Sequence, residues 1–389
     1  MRIFYYTWKE NSEPDLYEAL TRLGHFVVKC YIPMRDYEND PEFSVSLEKI
    51  FVEQKCEMFL SFDFFPLIAK SAERLGVIYA AWIYDAPHRT LYSPAAECRG
   101  TYLFLFDAVQ CQEMRELGLE HIYHLPLAVN TVRLNQQLGG APESVVYAYD
   151  VSFVGSLYER NMYAQISYLP EHTKGYIDGI CAAQKKIYGS DLIGEVMNGE
   201  IIEELKKWVQ LQIDDSYRMS EREVYADIVR EKITSEERID ILRRLGEQHS
   251  VTLFTASDTK LVPGVRTGGV VSYKEQMPCV FRKSRINLNM TLRSIRSGIP
   301  LRALDIMGAG GFLLTNYQPE IAEYFVAGKE VVMYSDIEEL LYLTEYYLVH
   351  ESERKEIAYC GWNKVCEQFS YEVQLGKMFQ ILTEETSVG

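Results

Sequence analysis

Three arginines cluster around the stretch RSIRSGIPLRALD (293–305), beside the small residues Ser294, Ser297 and Gly298. Pro300 reads as the first turn of a helix. The free N–H groups and dipole of that turn, with Arg293 and Arg296 beside them, make a site suited to a diphosphate. Arg296 and Arg302 flank the helix start, where the charge of a departing phosphate would develop. Asp305, one turn further in, can accept hydrogen bonds from ribose or sugar hydroxyls. The plain alternative is helix punctuation: proline at the start, Gly308, Gly310 and Gly311 at the end, and an Arg–Asp ion pair between.

A second set lies near the other end of the chain. In WIYDAPHRTLY, Asp85 and His88 follow an apolar run that reads as a strand. A strand-end aspartate with a histidine three residues on suits a base acting on a hydroxyl, although Asp-Ala-Pro is also good turn chemistry. Asp63 in SFDFFP has the same placement, and Asp107 in LFLFD reads as a helix N-cap. In RINLNMT, Asn287 and Asn289 alternate with apolar residues on one strand face. Buried asparagines need partners, and those near a strand end can contact a ligand. No metal is expected. The eight cysteines form no CxxC pair, the seven histidines no HExxH, and Asp214 with Asp215 falls in a polar helical region.

These residues need elements to hold them. RIFYYTW, FVVKCYI, CEMFLSF, VIYAAWI, YLFLFDAV and HIYHLPL read as strands separated by helices, two of them opening on proline and closing on glycine. That alternation predicts a doubly wound parallel sheet over 1–135. Residues 136–150 are rich in glycine, proline and polar side chains and read as a linker. A second series over 151–370 comprises DVSFVGSL, VTLFTAS, GVVSY, RINLNMT, GFLLTN and EVVMYS. A helical insert interrupts it at about 160–245, where TSEERIDILRRLG carries capping chemistry at its start. Three helices close the chain; the last, over 371–389, is expected to pack back on the first domain. The fold class is therefore α/β, with two Rossmann-like domains facing a cleft, a helical insert and C-terminal helices. Ligands bind beyond the carboxyl ends of such sheets.

Composition narrows the partners. The formal net charge of −16 argues against nucleic acid and against adhesion to an anionic membrane. No apolar run approaches the roughly 20 residues of a membrane span, and no export signal is visible, so a cytoplasmic protein of bacterial type is expected. The oligomeric state is not legible.

The arrangement resembles the GT-B glycosyltransferases, and more closely the CgeB-like (spore maturation protein type) glycosyltransferases, which have an uncharacterised-type N-terminal domain and a group-1-like C-terminal half. The matching residues are AWIYDAPH, YLFLFD, HLPLAVN, VSFVGSLYERN, RINLNMT, GIPLRALDIMGAGGFLLTN, PEIAEYF and EVVMYSD, nearly the whole chain. The resemblance implies transfer of a sugar from a nucleotide-sugar donor, with no cofactor and no metal. It places donor phosphates near Gly155, Ser156 and Arg160, and gives Asn316 and Glu320 a donor-side role. Group-1 enzymes commonly carry two glutamates eight positions apart; here Asp305 takes the second place and Ser297 the first, so the loop carboxylate is missing. The expected site is thus Asp85, His88, Arg296 and Arg302 for catalysis, and Gly155, Ser156, Arg160, Asn289, Arg293, Ser297, Gly298, Asp305, Asn316 and Glu320 for the donor. Inversion would use Asp85 or His88 as base, whereas retention needs none. A nucleotide-sugar epimerase or hydrolase on the same fold, or a non-catalytic nucleotide-sugar-binding partner, would share these features.

Overall fold

The computed structural model describes residues 1–209, 211 and 214–388. Positions 210, 212 and 213 of the expected insert, and 389 of the expected last helix, lie outside the described residues. The chain divides into two compact units.

The first unit holds residues 1–130, 214–219 and 368–388. Its elements are β1 (Arg2–Tyr6), α1 (Glu13–Arg22), β2 (Phe26–Cys30), α2 (Pro41–Glu53), β3 (Met58–Phe62), α3 (Pro66–Leu75), β4 (Ile78–Ile83), β5 (Thr101–Leu105), α4 (Ala108–Glu116) and β6 (Ile122–His124). The six strands pair in the order β2-β1-β3-β4-β5-β6, all in parallel. Every residue of β3 and β5 is buried, as expected of strands covered on both faces. Sequence punctuation has a direct counterpart: α3 starts at Pro66 and ends on Gly76 at φ +67°. Asp107 caps α4, its carboxylate accepting the Gln110 N–H at 3.1 Å.

The second unit holds residues 131–211 and 220–367, position 210 aside. It runs α5 (Thr131–Leu138), β7 (Tyr149–Val154), α6 (Glu171–Gln184), α7 (Ile193–Val196), α8 (Gly199–Lys206), α9 (Glu221–Gln248), β8 (Val251–Phe254), β9 (Arg266–Gly269), α10 (Met277–Lys283), β10 (Ser284–Asn289), α11 (Leu301–Gly308), β11 (Leu313–Asn316), α12 (Pro319–Tyr324), β12 (Val332–Tyr334), α13 (Ile337–Val349) and α14 (Glu351–Gln368). Its parallel sheet has the order β12-β11-β10-β7-β8-β9. The chain moves outward from β7 through β8 and β9, then returns to lay β10 on the other side of β7. The switch point is therefore the crevice between β7 and β10, where a ligand is expected in open sheets of this kind. The last helix, α15 (Tyr371–Val388), returns to the first unit, where Glu372 bonds Arg22 of α1 at 2.7 Å.

Two local expectations are corrected. Thr234 does not start a helix. It lies inside the 28-residue α9, whose cap is Ser220, and its hydroxyl turns back to the Arg230 carbonyl at 2.9 Å. The strand expected at GVVSY lies earlier, at Arg266–Gly269, because Gly269 leaves the strand conformation at φ +75°. Val270 and Val271 then run on as loop.

The glycines that close the 298–316 stretch have separate tasks. Gly310 takes φ +73° after α11. Gly311 lets β11 approach its neighbours: a Cβ there would stand 2.6 Å from Asn287 Nδ2 and 2.8 Å from the Phe281 carbonyl.

Candidate functional site

In the second unit, the loops after β7, β8 and β9 open into a pocket of about 570 Å³. Gly155, Ser156 and Arg160 come from the first loop, Thr255 and Ser257 from the second, Val270 and Val271 from the third. Arg302 reaches in from the first turn of α11, and Glu231 from α9. The turn is close-packed at Gly155, where a Cβ would stand 3.0 Å from the Phe153 ring. Ser257 Oγ accepts the Leu157 N–H at 2.9 Å, which ties the first loop to the second.

Arg302 is half-buried, over the Phe281 ring at 5.5 Å and against the Met277 thioether. Its Nη1 donates to Asp305 Oδ2 at 3.2 Å, and the Tyr273 hydroxyl donates to Asp305 Oδ1 at 3.1 Å. Asp305 thus lies behind the pocket wall and fixes the arginine that faces it.

Of the predicted site residues, the structure brings together Gly155, Ser156 and Arg160, expected at the donor, and Arg302, expected in catalysis, with Asp305 directly behind. Arg293, Arg296 and Asn316 line a separate recess of only about 20 Å³. Arg293 is fully engaged there. It forms a two-armed pair with Glu237, donates to the Ile187 carbonyl at 2.8 Å, and sits over Tyr188. Burial opposes its charge, and the Glu237 bonds more than restore it, so its pKa stays raised. Asn316 Oδ1 accepts the Thr291 N–H at 2.8 Å, and Asn289 Nδ2 reaches Thr291 and Thr315 hydroxyls at 3.0 and 2.9 Å. Both asparagines staple the ends of β10 and β11. Ser297 donates to Glu320 Oε1 at 2.8 Å, and the Glu320 N–H donates to the Ser297 carbonyl at 3.1 Å. A carboxylate from α12 therefore stands against the loop position that lacks one of its own, with Gly298 buried beside it.

Asp85 and His88 belong to the first unit, past the end of β4. They meet Asp63, past the end of β3: one ligand atom from each residue lies within 4.8 Å of the others. This is the sole cluster of that kind among the described residues. Asp63 Oδ1 accepts the backbone N–H groups of Tyr84 at 2.9 Å and Asp85 at 3.2 Å, and lies 3.7 Å from His88 Nδ1. His88 Nε2 lies 3.1 Å from both the N–H and the carbonyl oxygen of Phe64 and 2.7 Å from the Thr90 hydroxyl, so the ring is anchored through Nε2, with Nδ1 on the side of Asp63. Asp85 keeps an exposed edge, yet protein packed around its carboxyl desolvates it, and the Asp63 charge adds to that. Its pKa is raised despite the opposing pull of His88.

One residue was invisible in sequence. Arg238 lies in the segment TSEERIDILRRLG, where the sequence signals only helix capping, and it is buried beneath the pocket loop. Its Nη1 donates to the Ser156 carbonyl and its Nη2 to the Met290 carbonyl, both at 2.6 Å. It therefore clamps the loops after β7 and β10, the two sides of the switch point.

Residues 230–380 match the model of a family described as glycosyl transferase-like. No curated protein matches the chain. Solved structures share its fold. HepE of Anabaena, in complex with UDP and glucose, is similar at 9% identity and a TM-score of 0.56, over 99% of this chain and 100% of its own. Sucrose-phosphate synthase of Thermosynechococcus elongatus is similar at 10% identity and a TM-score of 0.54, over 100% of both chains. A glycosyltransferase from Rickettsia africae is similar at 11% identity and a TM-score of 0.52, over 98% of both chains. The chain carries a glycosyl transferase-like segment on a GT-B frame. Among the described residues, no helix is long and apolar enough to cross a membrane.

Proposed function

We propose that the protein is a glycosyltransferase of the CgeB-like type that moves a sugar from a nucleoside diphosphate sugar to a hydroxyl acceptor. The observation that carries this reading is the 570 Å³ pocket at the carboxyl ends of β7, β8 and β9, where Gly155 and Ser156 meet Arg160 and Arg302. A glycine-containing turn lets backbone N–H groups approach phosphate closely, and guanidinium groups offset the charge that grows on a departing diphosphate. Thr255, Ser257, Asn161 and the Glu231 carboxylate supply hydrogen-bonding groups for sugar hydroxyls. Several of these residues fall inside the glycosyl transferase-like segment. UDP is the first nucleotide to test, because HepE is seen with it.

In this reading the arginines offset the leaving-group charge without a metal ion, and no cofactor takes part. The three-residue cluster with metal-ligand spacing belongs to the first unit. There the Phe64 backbone and the Thr90 hydroxyl engage His88 Nε2, and the cluster is read as a base and its supports. Asp85 would take the acceptor proton in an inverting reaction, with His88 and Asp63 holding it. The same reading sets the protein in the cytoplasm.

Thermal unfolding with UDP, ADP, GDP and UDP-glucose, followed by donor-only incubation, tests the reading. A nucleoside diphosphate should raise the melting temperature, since a ligand that binds only the folded state stabilises it. Silence from every nucleotide rejects the site. Rapid release of free sugar or an epimer without acceptor would make the protein a hydrolase or epimerase instead.

A further inference from the structure

Among the described residues, no carboxylate stands within ion-pair distance of the buried Arg238, and its Nε has no hydrogen-bond partner. Its surroundings are two backbone carbonyls and two aromatic rings, Phe153 at 5.3 Å and Tyr158 at 5.1 Å from the guanidinium carbon. Buried arginines ordinarily have carboxylate partners, because the desolvation cost of a lone charge is several kcal/mol. Two other buried arginines of the same unit follow that rule, Arg293 with Glu237 and Arg230 with Asp191, Glu223 and Asp227, whereas Arg282 donates to the carbonyls of Ala309 and Gly140. Arg238 departs from it at the switch point of the sheet. Burial pushes its pKa down to about 10, with Tyr158 opposing and Arg302 adding to the fall.

An uncompensated charge at this place has a clear use. The carbonyl of Ser156 is held by Arg238, while Ser156 itself and Tyr158 line the pocket. Arg160 and Arg302 line it too, beside Glu159 and Glu231; behind the wall, Arg238 adds a positive charge at the Ser156 turn and Asp305 a negative one against Arg302. Low-dielectric surroundings lengthen the reach of a buried charge. An anion lodged above the Gly155–Ser156 turn would be the missing counter-charge.

We propose that Arg238 is a positioning residue that makes this pocket select a nucleoside diphosphate over the corresponding monophosphate, by fixing the β7 and β10 loops and supplying a buried positive field. The proposal rests on the donor-pocket reading given above. It adds that phosphate number, and not only the base, is read by a residue that touches no ligand.

The test is calorimetric titration of the full chain with UDP, UMP and uridine, and with ADP and GDP against their monophosphates, for wild type, R238Q and R238K. Glutamine can still donate to one carbonyl but carries no charge, whereas lysine keeps the charge and loses the fork. The wild type should prefer one diphosphate over its monophosphate by at least about tenfold. R238Q should lose roughly 10- to 100-fold in diphosphate affinity, the scale of one charge-assisted interaction, while monophosphate and nucleoside change less than about threefold. R238K should keep most of the diphosphate preference. Equal losses in R238Q and R238K, or equal losses for all three ligand types, would make Arg238 a loop clamp alone and overturn the proposal. The proposal falls equally if neither variant shows a cooperative melting transition, since Arg238 is then a folding residue. If the wild type binds none of these nucleotides, the donor-pocket reading itself fails, and this proposal with it.

Discussion

Arg302 and Asp305 face one another across a single turn of α11, Nη1 donating to Oδ2 at 3.2 Å, and only the arginine lines the pocket. If the pocket holds the donor, the carboxylate acts on it through its neighbour. Asp305→Ala frees both Arg302 and the Tyr273 hydroxyl, and should weaken nucleoside diphosphate binding by about 1–2 kcal/mol, or roughly five- to thirtyfold. Arg302→Ala should weaken it at least as much, and the double variant should add little, because the two act as one unit. Calorimetry on the three variants decides this. Additive losses would give Asp305 a direct contact with the ligand instead.

Arg293 invites the opposite expectation. Its side chain and that of Glu237 are 9% and 6% exposed and answer each other's charge. Glu237→Ala strands a buried cation and should cost about 3–5 kcal/mol of stability. Urea unfolding measures it. Replacing both residues with methionine should recover much of the loss, as buried ion pairs often exchange for apolar contacts at small net cost. A Glu237→Ala protein as stable as wild type would make Arg293 a phosphate ligand again.

Glycine positions give a paired test of the fold. Gly311→Ala forces a methyl to within 2.6 Å of Asn287 Nδ2 and 2.8 Å of a backbone oxygen, and should destabilise by about 1–3 kcal/mol. Gly175, inside α6, meets nothing within 4 Å, so Gly175→Ala should stabilise by roughly 0.5–1 kcal/mol through helix propensity. Matching melting curves for the two would show that the approach of β11 to β10 is looser than 2.6 Å implies.

Much of this architecture is written locally, and what is not depends on tertiary partners. Continuous apolar runs such as MFLSF and TYLFL announced strands buried on both faces, and α11 lies between the two strands expected to flank it. Thr234 shows the limit: a threonine followed by acidic residues is cap chemistry, but Val229, Ile233, Ile241 and Leu245 keep one buried face through it, and the helix continues. The arginines of 293–302 are neighbours in sequence yet point to different recesses, because Arg293 is captured by Glu237 of α9, a partner 56 residues away. Arg238 carries no local signal at all. Its burial is decided by the carbonyls of Ser156 and Met290, which only the closed sheet brings to it.

The last prediction concerns Asp85. Desolvation by the protein packed around its carboxyl, and then the charge of Asp63, raise its pKa above that of a free aspartate, whereas His88 opposes the shift. Two consequences follow, with opposite signs. For stability, a carboxyl whose folded pKa is raised favours folding in its protonated form. Its contribution is full below the unfolded pKa, about 3.9, and is lost as pH rises through the folded value. Asp85→Asn mimics the protonated form at every pH, so it should melt higher than wild type at pH 7, with the gap closing below about pH 4. For catalysis, a base must be ionised, so the acid limb of kcat/KM should lie above the pH of a free aspartate. Asp63→Asn keeps an oxygen for the Tyr84 and Asp85 N–H groups but removes the like charge, and should move that limb to lower pH; His88→Ala should move it higher. Asp85→Asn itself should abolish transfer and leave diphosphate affinity in the second unit unchanged. A pH–rate profile indifferent to Asp63→Asn and His88→Ala, or a product that NMR shows to retain the donor's anomeric configuration, would remove Asp85 from the reaction and leave the arginine pocket to carry it.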